Sequence, residues 1–284
     1  MRKTVLILGS TGKMGSALSS VLPKKYKVIG KNSNDFNADD FNSVEHLIKR
    51  SKPDIVVNAA AFLGIDPCEN DPQKAFLVNT LYPKFLAQLS NKIGFILVHF
   101  STDAVFSDRK SGFYTESDRP IPLNIYGFTK FGGDCFIQSI AAKYYIFRIP
   151  VLFGISAKNT QFVEKMLQKI STGCRLLTIS DDIVTSPTFS LDVAREVLRT
   201  IEKQRKFGLY HVANSGRASL FELMREIVKC LKLDCRVVPA SYKDFAYVGV
   251  KNTCTPIKST KIPGLRHWKK AVKEYCCKVQ IKNK

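Results

Sequence analysis

The sequence lacks the long apolar runs of a membrane protein and the cysteine spacing of a metal-binding or disulfide-rich one. No uninterrupted apolar segment in its 284 residues is long enough to cross a bilayer. The apolar run after the two N-terminal cations stops at Gly9 and is too short for a signal sequence. The eight cysteines form no Cys-x-x-Cys pair and no Cys/His cluster at metal spacing. We therefore expect a cytoplasmic protein with reduced thiols, without a membrane span, a bound metal or a disulfide framework.

Acidic residues are also scarce, since 24 Asp and Glu stand against 44 Lys and Arg and leave a net charge of +20. In residues 251–284 ten Lys or Arg accompany a single acid, Glu274. Such a field attracts nucleotide-sugar diphosphates, dinucleotides, nucleic acid and acidic membranes alike. Because aromatic residues are sparse there and no nucleic-acid motif occurs, we expect a solvated basic surface and no specific nucleic-acid partner.

Apolar runs and helical spacings alternate through the first half of the chain. The predicted strands are 5–8, 27–29, 54–57, 95–100 and 145–147, and the predicted helices are 13–22, 43–50, 73–89 and 127–143. This order predicts an α/β protein with a Rossmann-like, doubly wound parallel sheet in a dinucleotide-binding domain at residues 1–150. Residues 151–284, with helical stretches at 160–170, 190–202 and 219–231, are expected to form a smaller α/β substrate-binding lobe that returns some segments to the main sheet.

The first predicted strand is followed by a glycine-rich loop, Gly9-Ser-Thr11-Gly12-Lys13-Met14-Gly15, that opens a helix. Between a strand and a helix, glycines at this spacing let backbone N–H groups and the helix N-terminus approach the pyrophosphate of a dinucleotide. A purely structural turn would explain the glycines alone. The strand–loop–helix context favours a cofactor site.

Lys31 follows the second strand, where sequences specific for NAD have an acid. A cation there suits the 2′-phosphate of NADPH, so NADPH is expected and NADH is the alternative. An exposed lysine among 44 cations would also account for it. Asp35 and Phe36 are candidates for the edge and face of the adenine, although they could simply begin the next turn.

Tyr126 and Lys130 lie four residues apart at the start of the predicted helix 127–143, and on one helix they would project from one face about one turn apart. We expect the Lys130 ammonium to lower the pKa of the Tyr126 phenol and make it a proton donor near neutral pH. Thr102, at the carboxyl end of the fourth strand, is positioned to join them or to cap a helix. This set is typical of reductase chemistry.

The ordered motifs resemble those of the extended short-chain dehydrogenases/reductases, and more narrowly of the dTDP-4-dehydrorhamnose reductases. The resemblance runs from about residue 4 to about 215 and rests on the glycine loop, Asn58-Ala59-Ala60-Ala61, Ser101-Thr-Asp-Ala-Val-Phe106, Pro122-Leu-Asn-Ile-Tyr-Gly-Phe-Thr-Lys130, Phe147-Arg148, Ser186-Pro-Thr188 and Gly208-Leu-Tyr-His211. It implies NAD(P)H-dependent reduction at C4 of a nucleotide-linked 4-keto-6-deoxy sugar, in precursor synthesis for deoxysugars and polysaccharides. The sequence also allows a homodimer.

The resemblance also implies roles for individual residues. Tyr126 would protonate the developing alkoxide, Lys130 would bind the nicotinamide ribose, and Thr102 would contact the reacting oxygen. Residues near the cofactor would be Gly12, Lys13 and Met14 at the pyrophosphate, Ala61, Phe62 and Leu63 on the adenosine side, and Phe100 beneath the cofactor. Ala59 and Ala60 would let the backbone approach the cofactor. Residues on the sugar side would be Asp66, Asp103, Ala104, Val151 and Lys251.

Three departures from that family weaken the assignment of the substrate more than that of the chemistry. Ala104 stands where the family has Tyr, Val151 stands near a usual aromatic, and Lys251-Asn-Thr253 is the nearest counterpart of its Arg-Pro-x-Asn-Ser element. A different deoxysugar or nucleotide carrier therefore remains an alternative. A second alternative is a non-catalytic, NADP-binding subunit similar to the regulatory subunit of methionine adenosyltransferase, which Arg148-Ile-Pro150 and the following Val151-Leu-Phe-Gly154 resemble.

Overall fold

A computed structural model describes residues 2–156 and 161–282. The first half of the chain alternates strands and helices, as its apolar periodicity predicts. Its strands are β1 (Thr4–Leu8), β2 (Lys27–Lys31), β3 (Ile55–Asn58), β4 (Ile96–Thr102) and β5 (Tyr144–Ile149). Its helices are α1 (Lys13–Val21), α2 (Phe41–Ser51), α3 (Ile65–Asn70), α4 (Pro72–Phe76), α5 (Tyr82–Ile93) and α6 (Ile125–Ile140).

The remaining elements belong to the second half of the chain. Its strands are β6 (Leu152–Phe153), β7 (Leu176–Ser180), β8 (Val184–Thr185), β9 (Thr188–Phe189), β10 (Gly208–His211), β11 (Asn214–Ser215), β12 (Ala218–Ser219), β13 (Arg236–Ala240) and β14 (Leu265–His267). Its helices are α7 (Phe162–Ser171), α8 (Ser190–Glu202), α9 (Leu220–Leu231) and α10 (Trp268–Lys282). Residues 157–160, which include the start of the helix expected at 160–170, lie outside the described residues.

The main sheet has the order β10-β5-β4-β3-β1-β2, and its strands are parallel. It confirms the doubly wound α/β class. The chain leaves β1 first for β2 and then for β3 on its other side, so the two loops that follow β1 and β3 diverge at the carboxyl edge of the sheet. Ligands of such sheets bind in the crevice that this reversal creates. The candidate glycine loop follows β1.

Two apolar clusters cover the faces of the main sheet, and helices from both halves of the chain contribute to them. On one face α1 packs against α8, with Leu18 and Val197 fully buried. On the other face α2, α5 and α6 bury residues such as Leu47, Leu86 and Ile137. The strand β10 also comes from the second half and pairs with β5. The division at residue 150 stays a prediction, because this part of the chain contributes to the main sheet and to one of its covering layers.

A separate core lies in the second half of the chain, where β7 and β13 form a parallel pair beneath α7, α9 and α10. The basic tail is part of this core. Trp268, Val272 and Tyr275 of α10 are buried, whereas Lys269 and Lys273 are exposed. The exposed lysines agree with the expected solvated basic surface, and the opposite face of this amphipathic helix closes the core.

Within the described residues, no helix has the length and apolar character needed to cross a membrane. The same residues contain no group of three or more His, Cys, Asp or Glu side chains that could hold a metal ion. The eight cysteines are free thiols.

Candidate active site

The helix that carries Tyr126 begins at a firmly held N-terminus. Asn124 caps α6 by accepting a 2.8 Å hydrogen bond from the backbone N–H of Gly127. Glu69 of α3 accepts a 2.9 Å bond from the backbone N–H of Ile125, and the Asn124 amide donates to Asn252 at 2.9 Å. These contacts join α6, α3 and the segment before β14. Tyr126 therefore lies in the first turn of a 16-residue helix with little freedom to shift.

Close backbone packing brings this turn to the end of β4. A Cβ atom at Gly127 would lie 2.2 Å from the carbonyl oxygen of Ala104, so only glycine fits there. Thr102 lies beside the Tyr126 phenol and lowers its pKa, but burial outweighs this effect and raises the pKa overall. The expectation that Lys130 lowers the pKa of Tyr126 was wrong for this structure.

Lys130 is 2 % exposed and lies one turn further along α6. Its Nζ donates a 2.7 Å hydrogen bond to the carbonyl oxygen of Phe100 and lies 3.2 Å from Nε2 of His99. Burial lowers the pKa of Lys130 to about 8. The lysine is thus fixed beneath the crevice, with β4 supplying both of its neighbours.

The carboxylate of Asp103 accepts hydrogen bonds from three hydroxyl groups. Thr102 donates to Oδ1 at 3.2 Å, while Thr185 and Thr255 donate to Oδ2 at 2.9 and 3.0 Å. Burial raises the pKa of Asp103 to about 6, although these bonds act in the opposite direction. The carboxylate therefore orients the Thr102 hydroxyl.

The glycine loop meets the segment after β3 at the carboxyl edge of the sheet. Gly9 has a φ of +91°, and a Cβ there would lie 2.8 Å from backbone atoms of Ala59 and Ala60. A Cβ at Gly12 would meet only the carbonyl oxygen of Gly9, at 3.4 Å. Gly9 is thus needed for the turn and the contact with the β3 loop, whereas Gly12 borders open space at the start of α1. This arrangement fits an approaching pyrophosphate.

Lys13 and its neighbours in the loop have different surroundings. The Lys13 side chain is 4 % exposed, and its Nζ donates to the carbonyl oxygen of Leu152 and to Glu164, each at 2.9 Å. The Lys13 ammonium therefore bonds to β6 and α7. Toward the crevice, Lys13 contributes only its position in the first turn of α1. Met14 is buried in the core. Gly15 packs against Gly9 so closely that a Cβ atom added at Gly15 would lie only 2.2 Å from the carbonyl oxygen of Gly9. Thr11 is partly exposed in the loop.

The candidate adenosine side has one charged pair and one supported loop. Lys31, at the end of β2, forms a 2.9 Å ion pair with Asp35, and Phe36 is largely buried. Ala59, Ala60 and Ala61 are partly exposed after β3, and so is Phe62, whereas Leu63 is exposed; Phe100 is buried in β4.

A π-helical turn, Leu77–Leu81, supports this loop from behind. Its buried Asn79 accepts from the backbone N–H of Phe62 at 3.0 Å and donates to the carbonyl oxygen of Phe62 at 2.9 Å. The same amide donates to Thr129 of α6 at 3.3 Å. Asn79 therefore joins the loop to the helix of Tyr126. Such π turns occur frequently at functional sites.

The candidate sugar side contains a second ion pair. Lys251 donates to Asp66 of α3 at 2.8 Å, and its Nζ lies 3.9 Å from the centre of the Tyr247 ring. Ala104 is buried behind Thr102, and Val151 is partly exposed after β5. The 251–253 element reaches the site, because Asn252 donates to the carbonyl oxygen of Phe106 and Thr253 is bonded to Asp108.

The structure thus brings Thr102, Tyr126 and Lys130 to the carboxyl edge of the sheet, where the glycine loop also lies. Residues without an individual role in the sequence interpretation are His99, Asn79, Thr185, Thr255 and Glu164. A polar residue inside an apolar strand was the available signal for His99. The others carried no local signal, because each acts through a partner distant in sequence.

Comparison with known proteins adds an independent observation. A family model described as RmlD substrate binding domain matches residues 2–281. The spore coat polysaccharide biosynthesis protein SpsK of Bacillus subtilis is 33 % identical over 276 residues, which are 95 % of this chain and 96 % of that protein. The dTDP-4-dehydrorhamnose reductase of Escherichia coli is 31 % identical over 225 residues, 77 % of this chain and 75 % of that one.

Solved structures of similar proteins superpose over nearly the whole chain. A dTDP-4-dehydrorhamnose reductase from Bacillus anthracis, in complex with NADP, is 25 % identical, with a TM-score of 0.92, covering 98 % of this chain and 100 % of that one. A reductase of the same name from Clostridium acetobutylicum is 29 % identical, with a TM-score of 0.91 and coverage of 98 % and 99 %.

Proposed function

Because this chain belongs to the dTDP-4-dehydrorhamnose reductase family of the extended short-chain dehydrogenases/reductases, we propose that it reduces the C4 keto group of a nucleotide-linked 4-keto-6-deoxy sugar with NADPH. The observation that carries the proposal is the placement of Tyr126, in the first turn of α6, beside Thr102 at the end of β4, with Lys130 one turn further along α6. The glycine loop follows β1 of the same parallel sheet, which is separated from β4 by β3 alone. The product would serve the synthesis of deoxysugar or polysaccharide precursors.

The residues at the glycine loop and at the end of β2 fit the cofactor. Gly12 leaves room beside the N-terminus of α1, which favours the negative pyrophosphate, and the Lys31 ammonium is accessible for a 2′-phosphate. Asp35 holds Lys31 in place and could accept from a ribose hydroxyl in NADH. When bound, NADPH supplies the hydride for C4.

The protein's own contribution is to supply and place a proton. Burial keeps Tyr126 protonated until charge develops on the C4 oxygen, and Thr102 lies beside the phenol. Thr102 is itself oriented by Asp103, which also binds Thr185 and Thr255 of the second half. The proton would pass from the Tyr126 hydroxyl to the C4 oxygen as the hydride arrives at C4.

The second half of the chain would serve as the substrate-binding lobe. Lys251 is the candidate for the sugar nucleotide's diphosphate, and Asp66 holds its ammonium beside α3. Val151 and Ala104 would leave the sugar side less crowded than the aromatic residues they replace. The possible homodimer and the division at residue 150 are further proposals of the same kind.

The proposal is tested with purified protein, NADPH and a panel of dTDP- and UDP-linked 4-keto-6-deoxy sugars, by following the loss of reduced-nicotinamide absorbance. Tyr126→Phe should lose roughly 10²- to 10⁴-fold in kcat, the usual contribution of a general acid, and should still bind NADPH. Tyr144→Phe, at the opposite end of the sheet, is the matched control. Equal turnover in wild type and Tyr126→Phe would remove Tyr126 from the mechanism.

The same assay addresses the alternative of a regulatory subunit similar to that of methionine adenosyltransferase. Such a protein would bind NADPH but turn over none of the sugars, and it would co-purify with a larger enzyme. Turnover that depends on Tyr126 would exclude a purely regulatory role.

A further inference from the structure

His99 lies in the middle of β4, is 1 % exposed, and uses both of its ring nitrogens. Nδ1 lies 3.1 Å from the amide nitrogen of Asn58, and Nε2 lies 3.2 Å from Nζ of Lys130. The imidazole thus stands between β3 and the lysine of the candidate active site. The reduction proposed above gives it no task.

The orientation of Asn58 determines which ring nitrogen carries the proton. The Asn58 carbonyl oxygen accepts a hydrogen bond from the backbone N–H of Ala60 at 3.2 Å, so its NH₂ group must face His99. An NH₂ group only donates, so Nδ1 of His99 must be the acceptor. Burial holds the pKa of His99 well below its ordinary value. A neutral ring that accepts at Nδ1 carries its single proton on Nε2.

That Nε2–H group points at the nitrogen of Lys130, which already donates to the carbonyl oxygen of Phe100 at 2.7 Å. An ammonium has three N–H donors and no lone pair, so it cannot accept from Nε2–H. A neutral amine has two N–H donors and one lone pair. It can donate to Phe100 and accept from His99 at the same time, which satisfies these buried groups.

We propose that Asn58 holds His99 in its Nε2–H tautomer, and that His99 acts as a positioning residue that favours the neutral amine of Lys130 in the cofactor-free protein. The effect is one of hydrogen-bond direction: the partial positive charge on Nε2–H stabilises a lone pair and opposes an ammonium. The tautomer and the amine are properties of the protein alone. Their consequence for catalysis rests on the proposed function.

Other groups around Lys130 shift its pKa, some upward and some downward. Burial lowers its pKa, whereas Asp134 of the same helix and Cys68 of α3 raise it. Asp134 is itself engaged by Arg148 of β5 at 3.0 Å and by Ser101 at 2.9 Å. Tyr126, on the same helix, is held neutral by burial. Because the opposing carboxylate is already paired, the direction of the His99 dipole can decide the charge of the amine close to neutral pH.

The first test observes the tautomer directly in the cofactor-free protein. Long-range ¹H–¹⁵N NMR of ¹⁵N-histidine protein separates protonated from unprotonated ring nitrogens, and the chain has only four histidines, at 46, 99, 211 and 267. The His99→Gln spectrum assigns the His99 signals. We expect the neutral Nε2–H form from about pH 6 to about pH 9. An imidazolium or an Nδ1–H ring in this range would overturn the proposal.

The second test reverses the tautomer and reads the lysine. In Asn58→Asp the carboxylate accepts from Nδ1–H, so Nε2 becomes an acceptor that suits an ammonium. We expect the Lys130 ¹⁵Nζ titration, assigned with Lys130→Met, to move up by about one pH unit or more. His99→Gln can keep an N–H donor near Nζ and should stay closer to wild type, and exposed His46→Gln is the control.

An unchanged Lys130 titration in Asn58→Asp, with the His99 tautomer reversed, would overturn the link between the two residues. If Asn58→Asp does not fold, the tautomer of His99 in the wild type still tests the role of Asn58. The effect of His99 on Lys130 is then tested by comparing the Lys130 titration in His99→Gln with that in His99→Leu. A Lys130 titration that His99→Leu leaves unchanged would overturn the effect of His99. These readouts need no substrate and no cofactor. Absence of turnover would count against the proposed reduction and would leave the result for His99 intact.

Discussion

Replacing Asp103 by asparagine should stabilise the folded protein at neutral pH while reducing the proposed activity. Burial raises the pKa of Asp103 to about 6 in the folded chain, against about 3.9 for an unfolded aspartate. A raised folded-state pKa means that the folded protein binds this proton more tightly, so stability falls as pH rises through the window from about 4 to about 6. Two pKa units at 1.36 kcal/mol each make the full cost about 3 kcal/mol above that window.

The Asp103→Asn side chain would have nearly the shape of the native one but no charge to bury. Its oxygen can still accept from a threonine hydroxyl, and the hydroxyls of Thr185 and Thr255 can rotate to accept from its NH₂ group. At about pH 4.5 the wild type carries only about 1 kcal/mol of the cost. The stability of the variant relative to wild type should therefore rise by about 2 kcal/mol between about pH 4.5 and about pH 7.5.

Urea unfolding at the two pH values measures this difference. His211 has a pKa lowered to about 4 and acts in the opposite direction, but it is present in both proteins and cancels in the comparison. Thr102 would lose its charged acceptor, so we expect kcat to fall while NADPH affinity is retained. Parallel stability–pH curves for variant and wild type would refute the assignment of a costly buried charge to Asp103.

Three further changes test other parts of the site. Lys31→Asp should weaken NADPH by roughly tenfold more than NADH in fluorescence titrations, because it replaces a cation at the 2′-phosphate by an anion; equal weakening would contradict this role. Glu164→Gln leaves the buried Lys13 ammonium without its carboxylate and should cost about 3–5 kcal/mol in urea unfolding, whereas no loss would show that the ion pair is dispensable. Lys251→Met should raise KM for the sugar nucleotide by about tenfold or more with little change in kcat, and Asp66→Asn is its comparison; an unchanged KM in Lys251→Met would remove this lysine from the binding site.

The sheet could be predicted because its signals are local. Short apolar runs identified the five strands of the first half to within two residues at every end, since strands buried on both faces read as continuous apolar sequence. The helix of Tyr126 and Lys130 was also predicted, although its start lies at Ile125. The π turn inside the predicted helix 73–89 was not predicted. Its Asn79 bonds to Phe62, which lies 17 residues away in a loop, so the sequence around the turn does not indicate this contact.

Contacts between distant parts of the chain account for what the sequence did not reveal. Lys13 was assigned to the pyrophosphate from its place in the loop, but its ammonium is bonded to Glu164, 151 residues later. The partners of Asp103 lie at positions 185 and 255. The tail carries a strong charge signal and a weaker apolar one, since Trp268 and Tyr275 alone mark a face that is in fact buried. In each case the decisive neighbour was unknown until the fold was known.

The pKa of Tyr126 illustrates why spacing predicts geometry better than energetics. Two residues four apart share a helix face whatever surrounds them, so their proximity follows from the helix alone. Proton affinity depends on the surroundings, and here burial raises the phenol's pKa more than Thr102 lowers it. For the proposed reduction this direction is suitable, because Tyr126 must keep its proton until the C4 oxygen gains charge. The N-terminus of α6 then favours the phenolate that remains, so the helix can act on the product of proton transfer without weakening the donor beforehand.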